Sequence, residues 1–549
     1  MNSRNRQSLQ RRRLLRTGLA GAATVALPSR IFAQTSERMR PQIPFGVQTG
    51  DFAGDGAVVW AASDRPARMI VEYATTEGFG DLRRVMGPHA LETTDYTARL
   101  AITGISPGQT VFYRVTFLDL GDCKTLSAPV MGRFRVPPAS DARDVSFVWT
   151  GDTAGQGYGI NPDWGGMRLY DAMRRTDPDF MVHCGDSVYA DDPIPPRIDL
   201  PDGSVWRNLV TDEKSKVAET LREFRGNYRY NLLDDNVRRL NADVPSIMLW
   251  DDHEVRNNWF HGQRIVDDDR YSEKRAALLT ARGTRAFLEY NPIRLDPDHP
   301  ERIYRRFSCG PRLDLFRTDM RSYRGANSAN RQPTAGDDTE FLGAEQLAWL
   351  KRALKASAAT WKVIATDAPL GIVNWADAEG GMEGVANGDD GAPLGRELEL
   401  ADLLSFVRRE AIHNVVWITA DVHYCATHRY EPATAAFPDF LPFHEFVSGP
   451  ANAGGFGPQP CDGTFGPRVI FHKVPSGGRE NLAPSEGMAF FGHVRIDGRS
   501  GVMAVTHRDV DGTILHRTEM IPHGAGNARA SRHAWRGRPQ TSYCSPQSP

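Results

Sequence analysis

Between Pro41 and about Val136 the apolar positions come in short runs. Val58-Val59-Trp60, Ala67 to Tyr73, Tyr96 to Ile102 and Val111 to Phe117 alternate or cluster at strand length. Gly54-Asp55-Gly56, Ser106-Pro107-Gly108 and Gly121-Asp122 separate them as turns. About seven strands in about 100 residues predict a β-sandwich of immunoglobulin or fibronectin type III class over residues 41–137. Pro137-Pro138-Ala139-Ser140 reads as a linker.

From Asp144 the pattern changes. Val145 to Thr150, Phe180 to Cys184, Ile247 to Trp250, Trp361 to Thr366 and Val415 to Ala420 are apolar runs of buried-strand length. Met167 to Arg175, Tyr271 to Tyr290, Ala344 to Lys355 and Glu397 to Glu410 carry helical patterns between them. The alternation predicts an α/β sheet with helices on its faces, a catalytic unit over residues 141–522. Strands resume at Gly492 to Ile496, Gly501 to Thr506 and Thr513 to Glu519. The stretch 523–549, rich in Arg, Gly, Pro and Ser, reads as a disordered tail.

The first 33 residues stand apart. They hold seven Arg and no acid, then a short apolar stretch from Thr17 to Leu27, then Ile31-Phe32-Ala33. Basic start, apolar middle and small-residue cut make a secretory signal. Arg11-Arg12-Arg13-Leu14-Leu15-Arg16 is similar to a twin-arginine signal, which implies the twin-arginine export machinery as partner and a periplasmic or secreted product. That route carries folded proteins, a weak pointer to a metal loaded before export. The apolar stretch is too short for a stable membrane span, and no 18-residue apolar run follows. Losing seven Arg takes the formal charge from −2 to −9, so no positive field invites sequence-specific nucleic-acid binding. The six Cys show no CxxC spacing, which excludes zinc ribbons and iron–sulfur clusters and suits mostly buried free thiols.

Four strand candidates end in the same chemistry: Gly151-Asp152, Gly185-Asp186, Asp251-Asp252-His253-Glu254 and Asp421-Val422-His423. Ligand sites in open α/β sheets lie at the carboxyl ends of strands. Asp152, Asp186, Asp252, Asn257, Asp421 and His423 are therefore expected to converge. Clustered carboxylates repel unless cations separate them. Mixed carboxylate, amide and imidazole donors suit Ca, Mn, Fe or Zn. One Gly-Asp alone is usually a turn, but four at strand ends are not.

The order Gly-Asp, Gly-Asp, Asp-His-Glu, Asp-x-His resembles the calcineurin-like metallophosphoesterases. More narrowly it resembles the PhoD family of alkaline phosphatases and phosphodiesterases. The resemblance rests on Gly185-Asp186-Ser187-Val188-Tyr189-Ala190-Asp191, on Trp250-Asp251-Asp252-His253-Glu254-Val255-Arg256-Asn257-Asn258, on Thr318 to Arg324 and on Thr419 to Tyr424. Phe45 to Asp51 and Val58-Val59-Trp60 resemble that family's small β-domain. It covers roughly residues 43 to 520. It implies an αββα sandwich and two or more metal ions, Fe(III) with Ca(II), with Mn or Zn as alternatives. It makes Asp186 the bridging carboxylate, Tyr189 a phenolate ligand, and Asn257, Asp421 and His423 further ligands. Some members carry a Cys ligand where this chain has Asp152, so Asp152 is expected to replace it.

His253 has two readings, a proton donor to the phosphate or leaving group, or an orienter held by a carboxylate. Arg256, Arg321 and Arg324 are candidates to grip phosphate, and Arg256 and Arg321 are assigned with His253 to catalysis. The expected reaction is hydrolysis of a phosphate ester through attack of a metal-bound hydroxide. Phosphodiesterase or phospholipase D-like hydrolysis at the same site is the alternative. A non-catalytic surface protein that binds ligands through its β-sandwich is the reading from another class, and it would need no converging carboxylates.

Overall fold

The apolar runs that lack alternation become strands buried on both faces. Phe180–Cys184 and Val415–Thr419 have every residue buried. The computed structural model describes residues 39–141, 143–266, 268–375 and 381–524. The signal segment 1–33 and all but the start of the tail 523–549 lie outside the described residues.

Two sheets lie face to face. At the centre of the first, Val145–Thr150, Phe180–Cys184 and Ser246–Leu249 run parallel in register. Phe490–Ile496, Met503–Asp509 and Ile514–Met520 extend it antiparallel on one side. At the centre of the second, Leu313–Arg317, Trp361–Ala365, Val415–Thr419 and Phe443–Val447 run parallel. Phe147, Trp149, Val182 and Cys184 from one sheet share a core with Leu315, Val363, Val416 and Ile418 from the other. Trp149 Nε1 donates to the Thr419 carbonyl at 3.2 Å, fixing the two sheets to each other beside the strand ends.

Helices close both outer faces. Val148 and Met181 pack under Arg168–Arg175, Leu221–Asn231, Asp235–Asp243 and Ala276–Tyr290. Phe316, Ile364 and Trp417 pack under Ala344–Lys355 and Glu397–Arg409. The layers are thus αββα, with alternate residues of each central strand facing helix and sheet. Each large side chain so buried contributes about 1.5–3 kcal/mol.

Seven strands precede Pro137. Val47–Ala53, Gly56–Ala62 and Thr97–Ile102 form one sheet, and Arg83–Ala90, Ala67–Ala74, Thr110–Asp119 and Val130–Arg135 form the other. Sequence reasoning treats them as a separate unit. In the fold, Val47–Ala53 pairs parallel with Ser246–Leu249 at Gly50 and Ser246, so the three-stranded sheet continues the first large sheet. Val59, Val71 and Val115 join the same core as Trp149. The pairing covers an edge that would otherwise stand open.

Two helices were not predicted. Leu221–Asn231 buries Phe224, Tyr228 and Tyr230, and Asp235–Asp243 buries Val237 and Leu240. Their caps are nevertheless written in the sequence: a capping box of Thr220 with Glu223, and Asp234. The long helix begins at Ala276 rather than Tyr271, because Tyr271 is held apart from it, buried under the Arg256 guanidinium. Cys184, Cys309 and Cys425 are buried free thiols, Cys123 and Cys461 are free and exposed, and Cys544 lies outside the described residues.

Candidate metal centre

Each of the four strands stops two or three residues before its carboxylate. Asp152 follows Val145–Thr150, Asp186 follows Phe180–Cys184, Asp252 follows Ser246–Leu249, and Asp421 follows Val415–Thr419 on the facing sheet. Asp152, Asp186, Asp421 and His423 all adopt left-handed backbone, with φ of 62°, 52°, 67° and 59°. Asp and His tolerate this region better than most side chains, at a cost of order 1–3 kcal/mol each. Gly151 permits the close approach of the two sheets, since a Cβ there would sit 2.5 Å from that of Ala420.

Donor atoms of Asp152, Asp186 and His423 all lie within 4.8 Å of one another, and so do those of Asp186, Asp252 and His253. Asp186 belongs to both groups. Asp152 is fully buried, and neither of its carboxylate oxygens accepts a hydrogen bond from a side chain. Burial first, and neighbouring carboxylates second, push Asp152, Asp186 and Asp421 well above the usual carboxylate range. A cation relieves that conflict. His423 Nδ1 donates to the Gly454 carbonyl at 2.6 Å, which turns the Nε2 lone pair towards Asp152, 3.8 Å away. The Tyr189 hydroxyl lies 2.8 Å from that same Nε2. Asn257 and Asp421 line the cavity that Asp186, Asp252 and His423 share. Asp421 joins neither close group and accepts from Asn374 Nδ2 at 3.2 Å.

An outer ring of acids holds this inner set. Glu254 accepts from the Ser187 amide and hydroxyl, both at 2.6 Å, and from the Asp251 amide at 2.8 Å. It thereby clamps the loop carrying Asp186 to the loop carrying Asp252. Asp191 accepts from His253 Nδ1 at 2.7 Å and from the Asn257 amide at 2.7 Å. The His253 ring also stacks on Tyr189, with centroids 4.2 Å apart. Burial alone would keep His253 neutral, but Asp191 and Asp252 outweigh it and push the ring up to about 10.

The three candidate arginines sit outside the cavity lining. Arg321 is expected to grip phosphate, yet its side chain is enclosed by Asp251 and Glu383. Two buried carboxylates share that charge through Nε and Nη2, while Nη1 has no hydrogen-bond partner. Arg256 lies over the Tyr271 ring, 5.6 Å from its centroid, and Arg324 is buried against Phe341. Glu383 and Asn374 do line the cavity, and sequence reasoning missed both, because no motif or strand end marks them.

The PhoD-like phosphatase family model matches residues 147–507, a span that includes every strand-end residue described above. The chain belongs to the PhoD-like phosphatase family. That family's N-terminal domain model matches residues 28–138. Alkaline phosphatase D of Bacillus subtilis (strain 168) is 25% identical over 432 residues, covering 74% of this chain and 69% of the relative. A solved structure of PhoD superposes with a TM-score of 0.64 at 20% identity, covering 87% of this chain and 89% of that one. A purple acid phosphatase from yellow lupin (Lupinus luteus) seeds gives 0.51 at 12% identity, over 88% of this chain and 74% of that one. The two solved structures share the fold. As a PhoD-like phosphatase the chain is a metal-dependent hydrolase of phosphate esters, and the Asp152 carboxylate without side-chain donors and the shared Asp186 fit metal ions.

Proposed function

We propose that this chain hydrolyses phosphate esters at a two-cation centre bridged by Asp186. The membership of Asp186 in both donor groups carries this reading. Asp152, Tyr189 and His423 would complete one position, and Asp252, Asn257 and Asp421 would serve the other. Bound there, the ions would acidify a water and neutralise charge on the phosphoryl oxygens. Tyr189, a hard anionic oxygen donor once ionised, favours Fe(III) in the first position, and the carboxylate–amide set suits Ca(II) in the second.

His253 supplies the proton. A carboxylate only accepts, so Nδ1 carries the hydrogen bonded to Asp191, and Nε2 is left to face the cavity. From there it can donate to a phosphoryl oxygen or to the departing alkoxide.

A diester reading has its own support. The cavity, about 320 Å³, is lined by no Lys or Arg among the described residues. A diester carries one negative charge where a monoester carries two, so it asks less of such walls. We read residues 41–137 as the N-terminal domain, 141–522 as the catalytic domain, and 1–33 as an export signal that places the mature chain in the periplasm or outside the cell. No helix among the described residues is long and apolar enough to cross a membrane. Elemental analysis of the purified protein, beside assays on a phosphomonoester and a phosphodiester, tests the proposal. An active enzyme free of metal would sink it.

A further inference from the structure

Beyond the carboxylates, the cavity wall changes character. Trp375 lines it with 51% of its surface exposed, an unusual amount of apolar area for a side chain at a site mouth. Its place is fixed from the residue before it: Asn374 Nδ2 donates to Glu383 at 2.9 Å and to Asp421 at 3.2 Å. Phe456 lines the same cavity. Its amide donates to the His423 carbonyl at 3.2 Å, and its ring meets the His423 ring edge-on at 5.4 Å. Phe456 thus touches a residue of the candidate centre, and Trp375 follows directly on the residue that bonds Asp421. Gln156 and Gln459 add neutral amide groups to the wall.

We propose that Trp375 and Phe456 form an aromatic subsite for the alcohol part of the substrate, selecting phosphate esters whose alcohol carries a flat ring with polar edges, such as a nucleoside. This rests on the phosphoesterase reading of the carboxylate centre. With the phosphate at Asp186 and His253, Trp375 and Phe456 are the rings the same cavity offers to the next group along the ester. Stacking on Trp satisfies the faces of a flat ring, while amides at the wall can pair with ring heteroatoms and hydroxyls. A methyl or ethyl ester leaves both unused.

Inhibition by product-like ligands tests this without involving the leaving group. Inhibition constants are measured for a nucleoside 5′-monophosphate and for methyl phosphate. Trp375→Ala should raise the constant for the nucleotide by about tenfold, the size of one good aromatic contact, and leave methyl phosphate within about twofold. Trp375→Phe should restore most of the loss. Constants that rise together, or a nucleotide constant that does not move, would overturn the subsite. An Asp186→Ala enzyme that keeps its rate would instead overturn the centre beneath it, so the two failures are distinguishable.

Discussion

Two buried histidines lie five residues apart and do opposite things. His428, on the strand Cys425–Tyr430, has Nδ1 2.9 Å from Glu445 Oε2. The Tyr430 hydroxyl donates to the same oxygen at 2.8 Å, and the Leu370 amide donates to Oε1 at 2.7 Å. That carboxylate is fully supplied. His423 stands beside Asp152, equally buried, whose two oxygens accept no hydrogen bond from any side chain. A complete polar network holds structure, whereas an incomplete one in a folded protein has something still to bind. Both clusters pair a buried histidine with a buried carboxylate; they differ in how many of the carboxylate's hydrogen bonds are made and in the second carboxylate, Asp186, that joins the His423 group.

The largest test of that contrast is Asp186→Ala. Both donor groups lose a member, so metal and activity should fall together. The rate should drop by more than about 10³-fold, beyond the loss of a single electrostatic contact. Chelation of the wild type should lower its melting temperature, since ions bound to the folded chain stabilise it. Asp186→Ala should show a much smaller shift. A variant with full metal content by elemental analysis would break the bridging assignment.

His253→Ala comes next. Its kcat should fall by about 10²–10⁴, the range of a lost acid–base group, while most metal is kept. The loss should be smaller on an aryl phosphate, whose leaving group needs less protonation, than on an alkyl phosphate. Its donor atom lies within 4.8 Å of those of Asp186 and Asp252, so metal analysis is the sharp arm of this experiment. Loss of an ion would move His253 into the ligand set.

Much of this was legible in the sequence, because both signals that mattered are local. Fully apolar runs such as Phe180–Cys184 report burial on two faces, and a Gly-Asp directly after the run reports a strand end. Convergence of Asp152, Asp186 and His423 follows from those two signals and the rule on strand ends. What was illegible depended on partners far along the chain. Arg321 sits in a motif that reads as phosphate-binding, but its carboxylate partner Glu383 is 62 residues away and unmarked. The joining of Val47–Ala53 to Ser246–Leu249 is likewise a pairing across some 200 residues, with no local mark. The helix Leu221–Asn231 was missed although its signals are local: a capping box, and Leu221, Phe224 and Tyr228 at helical spacing.

Tyr189→Phe tests the iron assignment. Tyrosinate on Fe(III) gives a charge-transfer band in the visible, so purified enzyme should be tinted and the variant colourless. The phenylalanine keeps the ring stacked on His253 and removes the hydroxyl that lies 2.8 Å from His423. Retained colour would take Tyr189 out of the ligand set. A colourless, fully active wild type holding only zinc or manganese would reject iron and leave the phosphoesterase reading intact.

The smallest expected effect on activity is the one that closes the contrast. His428→Ala removes one donor from Glu445 and leaves the Tyr430 hydroxyl and the Leu370 amide in place. The exposed deficit is that of one buried hydrogen-bonded group, a stability loss of about 1–3 kcal/mol, read as a lower denaturant midpoint. Metal content and kcat per folded molecule should stay within about twofold of wild type, because no atom of this network belongs to either donor group. If His428→Ala instead lost metal, the brace would extend to the centre through the short stretch that joins the two histidines. The division between satisfied and unsatisfied clusters would then no longer separate structure from function in this chain.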